Sequence, residues 1–146
     1  MNVPSEVDLL LRVLLAALLG GAIGFDREIR HKPAGMRTHM LVAVGSALFY
    51  AAGVLILGEA TGANVAGDVL RVPAAIVTGV GFLGAGAILR AGDRVTGMTT
   101  AAGIWVVASI GLLTAAGFFL LAVGGTVLVL LIVNLLGWIY GRFSGP

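Results

Sequence analysis

From Val95 to Gly141 the chain runs for 47 residues without one formally charged side chain. A membrane-spanning helix needs about 20 mostly apolar residues, so this stretch is too long for one crossing and fits two. Gly117 is the expected break, because Phe118 and Phe119 suit a water–lipid boundary, and Trp138 with Tyr140 supplies an aromatic anchor at the far end. The rest of the chain is similar: 59% of its 146 residues are hydrophobic, 11% are charged, and the mean hydropathy is +1.08. Soluble domains carry roughly 25% charged residues; nine basic and seven acidic side chains cannot cover a soluble domain of this size. A soluble enzyme and a disordered chain are excluded. With no Cys, a disulfide scaffold and a thiolate metal site are excluded too, and the redox compartment is not readable. The pI of 9.7 reflects a net charge of only +2, too little for nucleic-acid binding.

Three further apolar segments precede this run, so the sequence predicts an all-α, polytopic membrane domain with five spans, at about 9–25, 38–58, 72–89, 96–116 and 118–140. Arg12 interrupts the first, near its start, where its long stem can snorkel to the interface. Four spans would result if the first segment were cleaved or interfacial. A cleaved signal wants a basic leader, however, and here Glu6 and Asp8 precede Arg12 with no Lys or Arg before it. With five spans, Arg27, Arg30, Lys32, Arg37, Arg90, Arg94 and Arg142 fall on one face, while the other holds Arg12 and Arg71. The positive-inside rule then predicts N-out, C-in, with Asn64 on an external loop.

Glycine, at 23 residues, is about twice its usual share. Small residues let helix backbones approach closely in lipid. Gly20 and Gly24 form a G-x-x-x-G pair; Gly79, Gly81, Gly84 and Gly86 crowd the third span, and Gly97 follows it. Such positions serve packing inside one bundle, a homo-oligomer interface with a dimer favoured, or a glycine-lined path. The literal G-x-G-x-x-G at Gly79, Gly81 and Gly84 is not a dinucleotide fingerprint, since no acidic residue follows Asp93. At an offset of 62 residues, Gly35-Met36-Arg37-Thr38 overlies Gly97-Met98-Thr99-Thr100, Gly24 overlies Gly86 and Lys32 overlies Arg94. This suggests a parallel repeat of helices one–two and three–four.

Four blocks, in order, resemble the signature of one family. They are Gly24-Phe25-Asp26-Arg27-Glu28, Lys32-Pro33-Ala34-Gly35-Met36-Arg37-Thr38-His39, Gly81-Phe82-Leu83-Gly84-Ala85-Gly86-Ala87-Ile88-Leu89, and Gly97-Met98-Thr99-Thr100-Ala101-Ala102-Gly103-Ile104-Trp105. They resemble the MgtC/SapB family over roughly residues 9–117. Asp26 departs from the Glu expected in many members, and the soluble ACT-like C-terminal domain of longer members has no counterpart in this sequence. The resemblance implies a multi-pass protein of the bacterial inner (cytoplasmic) membrane, linked to magnesium homeostasis and adaptation to low magnesium. In pathogens, longer members are linked to survival inside phagocytes. Some members are described as restraining the F-type ATP synthase, which makes that enzyme a partner by resemblance.

Ionisable residues at membrane depth are functional candidates. Asp26, Arg27 and Glu28 close the first span, and Arg37 and His39 open the second, giving a candidate polar or ion site at the cytoplasmic mouth. Mg²⁺ commonly binds through one or two carboxylates, so Asp26 or Glu28 is the candidate metal ligand; no resident cofactor is expected. On a continuous helix, however, Asp26 and Glu28 lie about 200° apart and cannot chelate one ion together. Pairing of Asp26 with Arg30 or Arg37 is the plainer use. His39 serves packing or, less simply, ligation or proton transfer. Thr38, Thr99 and Thr100 sit where helix starts are expected, as caps or as anion contacts. Asn134 is expected to make an interhelical hydrogen bond.

No catalytic set emerges: His31 and His39 lack a partnered nucleophile and no carboxylate pair suits acid–base work. The sequence therefore reads as a non-enzyme of magnesium homeostasis with a regulatory or interaction role. A carrier or channel for Mg²⁺ or another small ion is the alternative, and recognition of anionic lipid by the basic loop is a third. The bilayer is the expected environment, and a second copy the expected partner.

Overall fold

The computed structural model describes residues 4–59, 71–91 and 93–143. Along the chain come α1 (Glu6–Ile29), α2 (Met36–Glu59), α3 (Arg71–Gly86), β1 (Leu89–Ala91), β2 (Arg94–Thr96), α4 (Met98–Ala115) and α5 (Phe119–Phe143). Among the described residues, three helices are long and apolar enough to cross a membrane: α1, α2 over Met36–Ile56, and α4. Two shorter apolar helices are Arg71–Gly86 and the Phe119–Leu135 part of α5. Asn64 and Asp68 lie outside the described residues.

The ends of α1 and the C-terminus of α4 have local causes. The Ser5 hydroxyl accepts from the Asp8 N–H at 3.2 Å and begins α1, where Glu6 and Asp8 also complement the positive end of the helix dipole. At the other end, His31 N–H donates to the Glu28 carbonyl and Lys32 N–H to the Arg27 carbonyl. These are the two bonds of a Schellman turn, with His31 in the left-handed region at φ 51° where glycine is usual. The same turn ends α4, as Gly117 N–H reaches the Thr114 carbonyl and Phe118 N–H the Leu113 carbonyl. Gly117 has φ 86°, so the expected break between the last two helices falls where the sequence put it.

Helix α4 touches each of the four other described helices and forms the centre of the bundle. Ala43 of α2 is fully buried between two glycines. A Cβ on Gly20 of α1 would lie 2.8 Å from the Ala43 Cβ, and one on Gly111 of α4 would lie 2.3 Å from the Ala43 carbonyl oxygen. Gly24 brings α1 still closer to the start of α2, since a Cβ there would meet Met36 Cα at 2.6 Å. Around these contacts pack Val13, Ala16, Ile23, Ala47, Val107 and Ile110. A second cluster of Ile76, Val80, Ile104 and Ala108 joins α3 to α4. Large apolar side chains remain outside, among them Leu120 at 87% and Phe82 at 82% exposure. A belt of that kind suits hydrocarbon rather than water.

Three expectations need correction. The third helix stops at Gly86 rather than continuing to residue 89, because the chain turns into a short antiparallel hairpin pairing Leu89 with Thr96 and Ala91 with Arg94. Gly79, Gly81 and Gly86 pack against nothing: among the described residues no atom lies within 4 Å of a Cβ built on any of them, and only Gly84 in α3 meets a neighbour, Ala101. Gly97 serves a turn rather than helix packing, with φ 89° and the Ala87 carbonyl oxygen 2.0 Å from where a Cβ would sit. The connections also differ between the two halves, a turn at 30–35 against a hairpin at 89–96.

Candidate functional site

The charged blocks meet at one end of the bundle, where α1 finishes and α2 and α4 begin. The Gly24 contact sets the backbones of α1 and α2 together there, and side chains finish the junction. Arg27 is buried, 5% exposed, and its Nη2 donates to Thr100 Oγ1 at 2.6 Å, tying α1 to the first turn of α4. Glu28, one residue on, faces the other neighbour. Its Oε2 accepts from the Met36 N–H at 2.8 Å, satisfying a free donor at the start of α2 and complementing the helix dipole. A Cβ on Gly35 would sit 2.8 Å from that same oxygen.

Asp26 points elsewhere, as the helical spacing requires. Its Oδ1 accepts from Arg30 Nε at 3.0 Å, a pair one turn apart. Arg30 Nη2 in turn donates to Asn134 Oδ1 on α5, while Asn134 Nδ2 donates to the Leu130 carbonyl. The expected interhelical bond of Asn134 therefore exists, and its partner is a charged residue 104 positions away. Asp26 and Glu28 contact different elements and do not converge. Among the described residues no three His, Asp or Glu come together as a metal-holding group.

His39 is fully buried; its Nδ1 lies 3.0 Å from the Gly35 carbonyl oxygen, the geometry of a donated hydrogen bond. Its Nε2 looks toward Gly103 of α4, where an added Cβ would be 3.4 Å away. Among the described residues, Asp26 Oδ2, Arg27 Nε and His39 Nε2 are buried without a hydrogen-bond partner, so the junction retains acceptor and donor capacity that those residues do not use.

The threonines do not act as caps. The N-cap of α4 is Gly97 and carries no side-chain cap bond; Thr99 is exposed and the Thr100 hydroxyl is given to Arg27. At α2 the Gly35 carbonyl accepts from His39 N–H and Glu28 does the capping, so Thr38 sits inside the first turn, exposed. Arg37 and Thr38 instead line an open basic pocket of about 750 Å³ with Glu28, His31, Lys32, Pro33 and Gly35.

Sequence reasoning missed the opposite end of the bundle. Arg12 does not merely snorkel: Nη2 pairs with Asp8 Oδ2 at 2.6 Å, Nη1 donates to the Ala115 carbonyl at 3.0 Å, and the guanidinium lies over the Phe119 ring, 5.6 Å from its centre. A cation beside the last carbonyls of α4 complements the negative end of that helix. The one signal in the sequence was a charge inside an apolar segment.

Residues 13–142 match the profile described as the MgtC family. The chain is 42% identical over 128 residues to "Putative magnesium transporter YhiD" of Escherichia coli K12, covering 87% of this chain and 60% of that protein. It is 39% identical over 143 residues to protein SapB of Bacillus subtilis, covering 97% of this chain and 61% of SapB. With protein MgtC of Brucella abortus it shares 45% identity over 121 residues, 83% of this chain and 48% of the other. The chain thus spans about half to three fifths of the length of these relatives. No solved structure matches it. A profile match over most of the length, together with relatives at this identity, places the apolar bundle and its four sequence blocks in one group: the chain belongs to the MgtC family.

Proposed function

We propose that this is a five-span protein of the bacterial inner membrane, oriented N-out and C-in, that serves magnesium homeostasis through a regulatory or interaction role. The link to magnesium rests on family membership and on the name that the Escherichia coli relative carries. The observation favouring regulation over transport is the use made of polar groups along the helices. The hydroxyls of Thr78, Ser109, Thr114 and Thr126 each donate to a carbonyl four residues earlier in their own helix. Transporters commonly turn such groups and broken helices toward a midplane site; here they are spent locally.

A second reading, movement of Mg²⁺ or another small ion, is favoured by the YhiD name and by the buried, unbonded Asp26 Oδ2. The two are separated by purified protein in liposomes loaded with an Mg²⁺-sensitive dye, compared with Asp26→Asn. The regulatory reading expects a signal equal to that of protein-free liposomes for both proteins. Flux through the parent that Asp26→Asn abolishes would overturn it.

A further inference from the structure

Between α2 and α3 runs an apolar groove of about 740 Å³, lined by Leu41, Gly45, Phe49, Gly79 and Leu83 among others. The two helices touch little there, because α3 leans on α4 through Ile76, Val80, Ile104 and Ala108. Among the described residues nothing lies within 4 Å of a Cβ built on Gly45 or Gly79, so both glycines deepen the groove. Thr38 closes one end of it and also lines the basic pocket. Groove and pocket therefore adjoin at that residue.

The pocket has an uneven charge. Among the described residues neither Lys32 nor Arg37 has a carboxylate within ion-pair distance, and both are exposed. Glu28 is the acidic residue there, and one of its oxygens is held by the Met36 N–H. Lys32 and Arg37 together outweigh the single Glu28 carboxylate, so the pocket is net positive, with His31 beside them, at the end of an apolar groove. From Thr38 to Phe49 the helix rises by about 16 Å, roughly one leaflet's share of a ~30 Å hydrocarbon core.

We infer that this adjoining pocket and groove together bind one anionic phospholipid, its phosphate held by Lys32 and Arg37 with Thr38 in reach and one acyl chain lying along the groove over Gly45 and Gly79. Charge decides against a second copy in the same place. A two-fold axis along the membrane normal would set the same basic turn of both copies at the same end, and like charges would meet where the lipid phosphate brings the opposite sign. The site stands whether or not the protein carries an ion.

The test is native mass spectrometry of the full chain in detergent, titrated separately with phosphatidylglycerol, phosphatidylcholine and inorganic phosphate. The expected result is retention of one phosphatidylglycerol in preference to phosphatidylcholine, weakened about five-fold by Lys32→Gln and again by Arg37→Gln. Gly79→Leu, which fills the groove from an open position, is expected to remove phosphatidylglycerol while leaving helicity by circular dichroism unchanged. Inorganic phosphate is expected not to displace the lipid. Equal retention of both lipids, indifference to Gly79→Leu, displacement by phosphate alone, or a dimer that Gly79→Leu disrupts would each overturn the site.

Discussion

Glu28 shows how little room the charged block leaves for independent chemistry. A carboxylate at the end of α1 would weaken that helix, whose C-terminus is already negative. The turn carries the chain back so that the same carboxylate meets the start of α2, where its sign is favourable. The cost to one helix is thereby offset at the next, and the turn bears His31 and Ala34 at φ 51° and 57° to make it possible. Glu28→Ala is expected to lower stability by about 1 kcal/mol, as loss of a helix cap does, while Glu28→Gln, which keeps an oxygen acceptor, is expected to recover part of it. Thermal unfolding in detergent followed by circular dichroism measures both; equal stability of all three would refute the capping role.

At the scale of helices, glycine divides into two kinds that the sequence does not distinguish. Gly111 is pressed on the Ala43 carbonyl, whereas Gly81 faces open space. Gly111→Ala must push α2 and α4 apart and is expected to cost about 1–3 kcal/mol. Gly81→Ala is expected to change stability by no more than about 0.5 kcal/mol. The pair is compared by the same unfolding assay, and equal effects would mean that the α2–α4 contact is looser than described. Helix existence was legible because hydropathy is a property of each segment alone: the spans expected at about 9–25 and 96–116 contain the cores of α1 and α4, and Gly117 ends α4. Which glycine meets a neighbour depends on how α3 leans, and no spacing within α3 encodes that. The hairpin was hidden because three-residue strands leave no periodic trace, so Leu89 read as the end of a span.

Across the whole molecule, the arrangement of helix ends agrees with the charge bias read from the sequence. Arg27 joins α1 to the start of α4, Arg30 joins it to the later part of α5, and Arg12 joins the opposite end of α1 to the α4–α5 turn. Successive helices thus alternate direction, and the turn at 30–35 shares an end with the hairpin at 89–96. If that end is cytoplasmic, the connection from α2 to α3, which carries Asn64, is external. Asn64→Cys in the cysteine-free chain is expected to react with an impermeant thiol reagent applied to intact cells; labelling only after lysis would reverse the orientation. That Asp26, Arg27, Glu28 and His39 gather at one end of the bundle was legible, but their wiring was not. Asp26 with Arg30 lies within one helix turn and could be anticipated, but Arg27 with Thr100 spans 73 positions and Arg30 with Asn134 spans 104, distances at which only the packed bundle selects partners.

The Arg12 contact bears on how the protein is made. Its acceptor, the Ala115 carbonyl, is synthesised 103 residues later. Until α4 is complete, α1 holds a guanidinium among apolar side chains, and of the partners observed in the finished bundle only Asp8 is already made. A cation in that setting is costly until its partners arrive. Helix α1 is therefore finished by a segment made long after it, and its charge is settled only when α4 arrives.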